Sequence, residues 1–279
     1  MSTDDFGDRM KSYEQMETGK FMPLLPIYAR LDGKGFSKFT KGMSRPYDER
    51  MHACMVETAK YLVKETGAKI GYTQSDEISL VWHSGSVYKQ IWFDGKKQKM
   101  VSVLAAMATM RFNRLIQDYM PEYTDRMPIF DCRAFTLPTL VEATNALLWR
   151  EQDATKNAVS MAARSMFSHK ALENKSGPQM KKMMLESFEV DFEDYPAAFS
   201  RGTFVRSEQK LVALRVGEYY HIPEKHRPTD SLGFGAALRS VMVAMEMPKF
   251  SSVVNRVKVV FDGEYPETEN ADWQMPPIA

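Results

Sequence analysis

Two carboxylate-bearing segments hold the residues that could do chemistry: Asp32-Gly33-Lys34-Gly35-Phe36 and Gln74-Ser75-Asp76-Glu77. Phosphoryl and nucleotidyl transfer need charge neutralisation and in-line alignment, which two Mg²⁺ ions about 4 Å apart supply. Mg²⁺ takes few carboxylates and fills its other positions with water and substrate phosphate. Asp32 and Asp76 would share the metals, and Gly33 would present its carbonyl without a Cβ in the way. The amides of Lys34, Gly35, Phe36 and Ser37, at a tight turn, would cradle triphosphate oxygens, with Lys34 and Lys38 adding positive charge. Glu77 would ligate the second metal or position a neighbour. Asp-Gly is also among the commonest turn dipeptides, and Ser-Asp-Glu suits any hairpin tip. Two structural turns therefore fit the same residues.

For these aspartates to meet, the elements around them must converge. Residues 5–18 read as a short polar helix. Met22 to Leu31 alternates, with Leu25, Ile27 and Ala29 on one face, and predicts a strand ended by a turn at Asp32–Gly35. Pro46 would open a helix whose stripe is Met51, Met55, Thr58 and Leu62, and Gly67 would stop it. Ala68–Thr73 and Ile78–His83 read as strands joined by the Gln74–Glu77 turn. A helix over Lys99–Tyr119 and a strand over Phe130–Leu137 follow, closed by Pro138. The order strand, helix, strand, strand, helix, strand is the split βαβ, ferredoxin-like arrangement of an α+β fold. A right-handed crossover makes the second strand parallel to the first. The end of the first strand and the hairpin after the second then lie at one sheet edge, and Asp32 and Asp76 become neighbours.

Beyond Pro138 the pattern changes. Residues 139–168 read as a helix anchored by Leu140, Leu147, Leu148, Val159, Met161 and Phe167. A basic loop, Lys170 to Lys182, would follow, and then a hairpin of Arg201–Val205 and Lys210–Val216. Residues 230–247 predict a helix and Val253–Phe261 a strand. The division expected is 1–138 as the catalytic domain, 139–261 as a helical and hairpin extension packed on it, and 262–279 as a mobile acidic tail.

Composition excludes several classes. A net charge of +1 carries no global basic field for nucleic acid, which leaves only local patches such as Lys96-Lys97-x-Lys99 and Lys170–Lys182. Cys54 and Cys132 lack metal-ligand spacing and read as buried thiols of a reducing, cytoplasmic protein. His52, His83, His169, His221 and His226 form no metal-spaced cluster. Gly233-Phe234-Gly235 lacks the strand-to-helix context of a phosphate loop. Trp149 reads as core. Met1 to Asp8 carries three aspartates where a signal peptide would be basic, and the apolar stretch near Val101–Met110 is too short to span a bilayer.

Taken together, Arg30-Leu31-Asp32-Gly33-Lys34-Gly35-Phe36, Pro46-x-Asp48 and Gly71-Tyr72-x-Gln74-Ser75-Asp76-Glu77 resemble the tRNA(His) guanylyltransferase family, which includes 3′-to-5′ polymerases. The likeness continues through Phe130-Asp131-x-Arg133 and Trp149-Arg150-x-x-Asp153-x-x-x-Asn157 to Arg201-Gly202-Thr203. The resemblance implies a polymerase-like palm carrying two Mg²⁺, held by Asp32, the Gly33 carbonyl and Asp76. It implies nucleotide contacts from Asp32 through Ser37 and from Ser75 and Asp76, with Glu77 at the family's third acidic position. The implied activity is 5′ adenylylation of tRNA by ATP, followed by attack of the 3′-hydroxyl of GTP or another NTP. The implied assembly is a homotetramer, a dimer of dimers.

One departure bears on substrate choice. Where the family reads Asp-Cys-His-x-Asn-Asn, this chain reads Asp153-Ala154-Thr155-Lys156-Asn157-Ala158. Loss of the histidine weakens the expectation of strict tRNA(His) specificity and leaves the metal residues untouched. Templated repair of tRNA 5′ ends then competes with dedicated guanosine addition. A palm-type nucleotidyl cyclase and a non-catalytic RNA-binding module are the alternatives of different class.

Overall fold

The computed structural model describes residues 5–227 and 235–269. Its centre is a six-stranded antiparallel sheet in the order β4-β1-β3-β2-β5-β6. The strands are β1 (Ile27–Lys34), β2 (Ile70–Gln74), β3 (Glu77–Trp82), β4 (Ile129–Thr136), β5 (Thr203–Ala213) and β6 (Ala236–Ala244). The first four reproduce the βαββαβ order, with α3 (Glu49–Thr66) and α4 (Lys97–Tyr119) as its two helices. Helix α1 (Asp5–Met16) precedes β1, and the four-residue α2 (Phe36–Phe39) follows it.

Side chains alternate across a strand, and both faces of this sheet are covered. Ile27, Ala29, Leu31, Ile78 and Leu80 point into a core with Met55, Leu62, Leu104 and Phe112 of α3 and α4. Tyr28, Tyr72 and Val81 point the other way, onto Ala143, Leu147 and Ala154 of α5 (Leu140–Met166). Tyr28, Arg30 and Asp32 therefore share the α5 side of β1.

Two boundaries near the acidic segments move. β1 does not end at Asp32: β4 pairs with it through Asp32↔Asp131, Gly33↔Phe130 and Lys34↔Ile129. The chain turns instead at Gly35, whose φ of 69° suits a residue without a Cβ. Helix α3 starts at Glu49 rather than Pro46, because Asp48 supplies the side-chain acceptor for the Arg50 amide that an N-cap needs (3.0 Å).

The C-terminal expectations need larger correction. Lys170–Lys182 is not a loop but carries most of α6 (His169–Leu172) and the first half of α7 (Gly177–Phe188). Ser176 and Gln179 form a capping box that starts α7. After α8 (Ala197–Ser200), the expected hairpin over 201–216 is the single strand β5, which joins β2 through Gly71↔Val205 and Thr73↔Thr203. A short α9 (Val216–His221) follows. Residues 236–244, expected as helix, form β6 against β5; Gly233 and Phe234 lie outside the described residues. Val253–Phe261, expected as a strand, ends in α10 (Arg256–Phe261), which buries Val259, Val260 and Phe261 beside α5. Three consecutive buried residues suit a helix wedged between layers better than a strand with one covered face. Of the expected mobile tail, residues 262–269 are described and Val253 bridges Thr268. Among the described residues, no helix is long and apolar enough to cross a membrane.

Candidate active site

The β2–β3 hairpin turns on two residues, Ser75 and Asp76, with Ser75 left-handed at φ 51°. Its tip is stitched to β1 by the Gly33 amide, which donates to the Asp76 carbonyl at 3.1 Å. Asp32 stands opposite Glu77 in the β1–β3 register. The structure thus brings Asp32, Gly33, Asp76 and Glu77 to one end of the sheet.

The three carboxylates differ in their surroundings. Among the described residues, neither Asp32 nor Asp76 forms a salt bridge, whereas Glu77 accepts from Arg150 Nε at 2.6 Å and Nη2 at 2.9 Å. Burial pushes the Asp76 carboxyl above its ordinary value, the Asp32 charge adds to the rise, and a hydrogen bond from Ser75 opposes it. Burial also raises the Glu77 carboxyl, with Arg150 pulling it back. Two adjacent carboxylates with no cationic side chain between them match the donor chemistry of a Mg²⁺ site completed by water and phosphate. Among the described residues, no group of three or more His, Cys, Asp or Glu side chains is placed to form an all-protein cage.

Gly33 is needed for a reason the sequence did not display. A Cβ there would lie 2.7 Å from Cγ of Phe36 and closer still to two other ring atoms. That ring packs on Phe39, Phe112 and Phe130 with centroids 5.1–5.6 Å away. The close approach of the ring, besides any use of the carbonyl, excludes a side chain.

The hairpin tip divides two cavities. One, of about 290 Å³, is lined by Phe36, Ser37, Tyr47, Asp48, His52, Phe199 and the tip residues Gln74, Ser75 and Asp76. Tyr47 and Phe199 stack at 4.7 Å to form an aromatic wall. The other, of about 430 Å³, is polar: Asp32, Asp76 and Glu77 face Arg150, Asn157, Ser160 and Arg164 of α5. Helical amides of the first turn lack an intrahelical acceptor, and in α2 these belong to Phe36 and Ser37, beside the first cavity. Lys34 is exposed at the end of β1, and Gly35 caps α2.

Arg164, Ser160, Tyr47, Phe199 and His52 were not singled out from sequence as site residues. The α5 set had a readable signal: Arg150, Asn157, Ser160 and Arg164 repeat at helical spacing and so share a face. Trp149 is half exposed, over the Arg150 guanidinium at 4.6 Å, rather than in the core. Lys97 and Lys99 lie over the Phe21 and Phe93 rings. Thr155 donates to the Glu151 carbonyl and lines a separate cavity with Lys156, Lys181, Arg201 and Lys249.

His52 bonds through Nε2 to Thr203 Oγ1 at 3.1 Å, and burial lowers its pKa below the ordinary 6.5. A histidine with a depressed folded value contributes stability above its unfolded pKa and loses it as pH falls below that. Acid melting curves of His52→Asn should therefore fall less steeply than those of the parent between about pH 7 and pH 5. Identical slopes would refute this assignment.

A palm sheet that ends in two carboxylates with no salt bridge among the described residues, set between a partly aromatic and a polar cavity, defines the class: palm-type nucleotidyltransferases. The family model described as tRNAHis guanylyltransferase matches residues 7–138. A bacterial tRNA(His) guanylyltransferase-like protein, solved in complex with ATP, superposes with a TM-score of 0.73 and 31% identity, over 93% of this chain and 98% of that one. A GTP complex of such a bacterial protein gives 0.67 and 31%, over 89% and 94%. The tRNA(His) guanylyltransferase of Neurospora crassa is 24% identical over 73% of each chain, and an uncharacterised protein of Acanthamoeba polyphaga mimivirus is 29% identical over 72% of this chain and 77% of that one. The chain belongs to the tRNA(His) guanylyltransferase family and is a nucleotidyltransferase.

Proposed function

We propose that this enzyme adds nucleotides to the 5′ end of tRNA. The observation that carries the reading is the Asp32–Asp76 couple at the hairpin tip, set between a cavity with an aromatic wall and a polar cavity. The ATP and GTP complexes of the bacterial relative support nucleotide substrates. Asp32, the Gly33 carbonyl and Asp76 would hold Mg²⁺, which when bound neutralises phosphate charge and lowers the pKa of an attacking hydroxyl.

The protein's own part is placement. The Tyr47–Phe199 wall takes a purine face. Lys34, Gly35, Phe36, Ser37 and Ser75 surround the triphosphate. On the other side of the tip, Asn157 and Arg164 meet the phosphates of the second reactant. In the first reaction the tRNA 5′-phosphate attacks the α-phosphorus of ATP and pyrophosphate leaves. In the second, the 3′-hydroxyl of GTP or another NTP attacks the activated 5′ end; a P–O bond forms and AMP leaves. A 5′-triphosphorylated end loses pyrophosphate directly.

The same reading keeps 1–138 as the catalytic palm, 139–261 as an extension that adds strands and α5 to it, and 262–279 as a tail. It also keeps a cytoplasmic homotetramer, which sedimentation would test. Since Thr155 replaces the family histidine, templated repair of 5′-truncated tRNA is the favoured task. The test supplies 5′-truncated tRNA, ATP and each NTP in turn. Addition restricted to the complement of the opposing base supports repair, and guanosine added to tRNA(His) alone would make it a dedicated enzyme. A cyclic nucleotide product, or RNA binding without Mg²⁺-dependent turnover, would overturn the reading.

A further inference from the structure

Glu77 adjoins Asp76 in sequence and faces Asp32 across the β1–β3 pair. Its position alone suggests a third metal ligand, yet both its oxygens are already taken. Arg150 Nε meets Oε1 at 2.6 Å and Nη2 meets Oε2 at 2.9 Å, a two-point fork. Arg30 Nε stands 3.8 Å from Oε2 on the same face of the sheet. The pair is nearly enclosed, with side-chain exposures of 10% for Arg150 and 13% for Glu77. Arg150 is itself held by Asp153 at 3.2 Å and by the Trp149 ring.

We propose that Glu77 and Arg150 form a clamp that locks the catalytic hairpin to α5, with Arg150 a positioning residue and Glu77 no metal ligand. The inference rests on the reading of Asp32 and Asp76 as the metal-holding couple. Three anchors converge on the tip: the Gly33 amide on the Asp76 carbonyl, Thr73 Oγ1 on the Glu77 carbonyl at 2.9 Å, and the clamp. Of these, the clamp alone ties the tip to a different layer of the fold. It also removes a charge problem. Without Arg150, three carboxylates would crowd one strand end, and a buried charge stripped of its partner is costly.

The charge argument predicts an inverted double-mutant cycle. Arg150→Met leaves Glu77 charged beside Asp32 and should lower kcat by about 100-fold, with the KM for NTP within about twofold of the parent. Glu77→Gln, which keeps shape and one acceptor oxygen, should cost about tenfold. Glu77→Gln combined with Arg150→Met should recover about tenfold of the Arg150→Met loss, because both charges leave together. Arg150→Lys keeps the charge without the fork and should fall between the parent and Arg150→Met.

Two readouts do not depend on turnover. Mn²⁺ binding in the presence of a non-hydrolysable ATP analogue, followed by electron paramagnetic resonance, should stay within about twofold of the parent in Glu77→Gln. Melting of the metal-free chain should rank Arg150→Met below the double variant. A tenfold or greater loss of Mn²⁺ affinity in Glu77→Gln, or a double variant slower or less stable than Arg150→Met, would overturn the proposal. If the parent chain binds no Mn²⁺ with the analogue, the metal reading falls and the melting order still decides the clamp. If Arg150→Met does not fold, recovery of folding in the double variant supports the clamp, and failure to recover overturns it.

Discussion

Asp76→Asn is expected to lower nucleotide transfer by about 10³-fold or more, equivalent to some 4 kcal/mol of transition-state stabilisation. Of the three carboxylates at the tip, Asp76 is one of two that form no salt bridge among the described residues, Glu77 being paired with Arg150, and asparagine offers a metal only a neutral oxygen. The backbone anchors of the tip, Gly33 N–H to Asp76 C=O and Thr73 Oγ1 to Glu77 C=O, do not involve the replaced atoms. Metal-free stability should therefore be kept or slightly raised, since the substitution relieves the burial and like-charge penalties that push the Asp76 carboxyl upward. Single-turnover assays in Mg²⁺ and thermal melting in chelator separate the two effects. Transfer at the parent rate in Asp76→Asn would remove the couple from the chemistry.

Gly33→Ala is expected to destabilise the fold by about 3 kcal/mol, the upper end of what overpacking a filled core costs. The added methyl would overlap the Phe36 ring, and that ring cannot retreat without disturbing Phe39, Phe112 and Phe130. For a chain of this size the melting temperature should fall by about 6–12 °C. Adding Phe36→Ala should cost less on the Gly33→Ala background than on the parent, because the vacated space accepts the methyl. A melting temperature within about 2 °C of the parent in Gly33→Ala would show that the ring yields freely. Gly33 would then matter only for its carbonyl.

Much of the palm was legible because its signals are local. Ile27, Ala29 and Leu31 alternate, α3 carries buried Met55, Thr58 and Leu62 at helical spacing, and Gly67 caps it. The C-terminal third misled for equally physical reasons. Residues 236–244 are rich in alanine, leucine and methionine, good helix formers, yet they form β6 because β5 offers a nine-residue partner from Val205 to Ala213. Val253–Phe261 is valine-rich, a strand composition, yet it folds as α10 where a helix can bury Val259, Val260 and Phe261 beside α5. Ser176-x-x-Gln179 was a legible capping box that the lysines around it obscured.

By itself the sequence determined the chemical inventory of the site: which carboxylates, which glycine and which turns, and through the βαββαβ order, that Asp32 and Asp76 must converge. That much follows from strand periodicity and crossover handedness, which are properties of the local chain. Only the tertiary structure decided what each carboxylate is free to do. Glu77 looked equivalent to Asp76 in sequence, but Arg150 reaches it from a helix 73 residues away and takes both its oxygens. Availability for a metal depends on which charges share a buried volume, and packing between distant elements sets that.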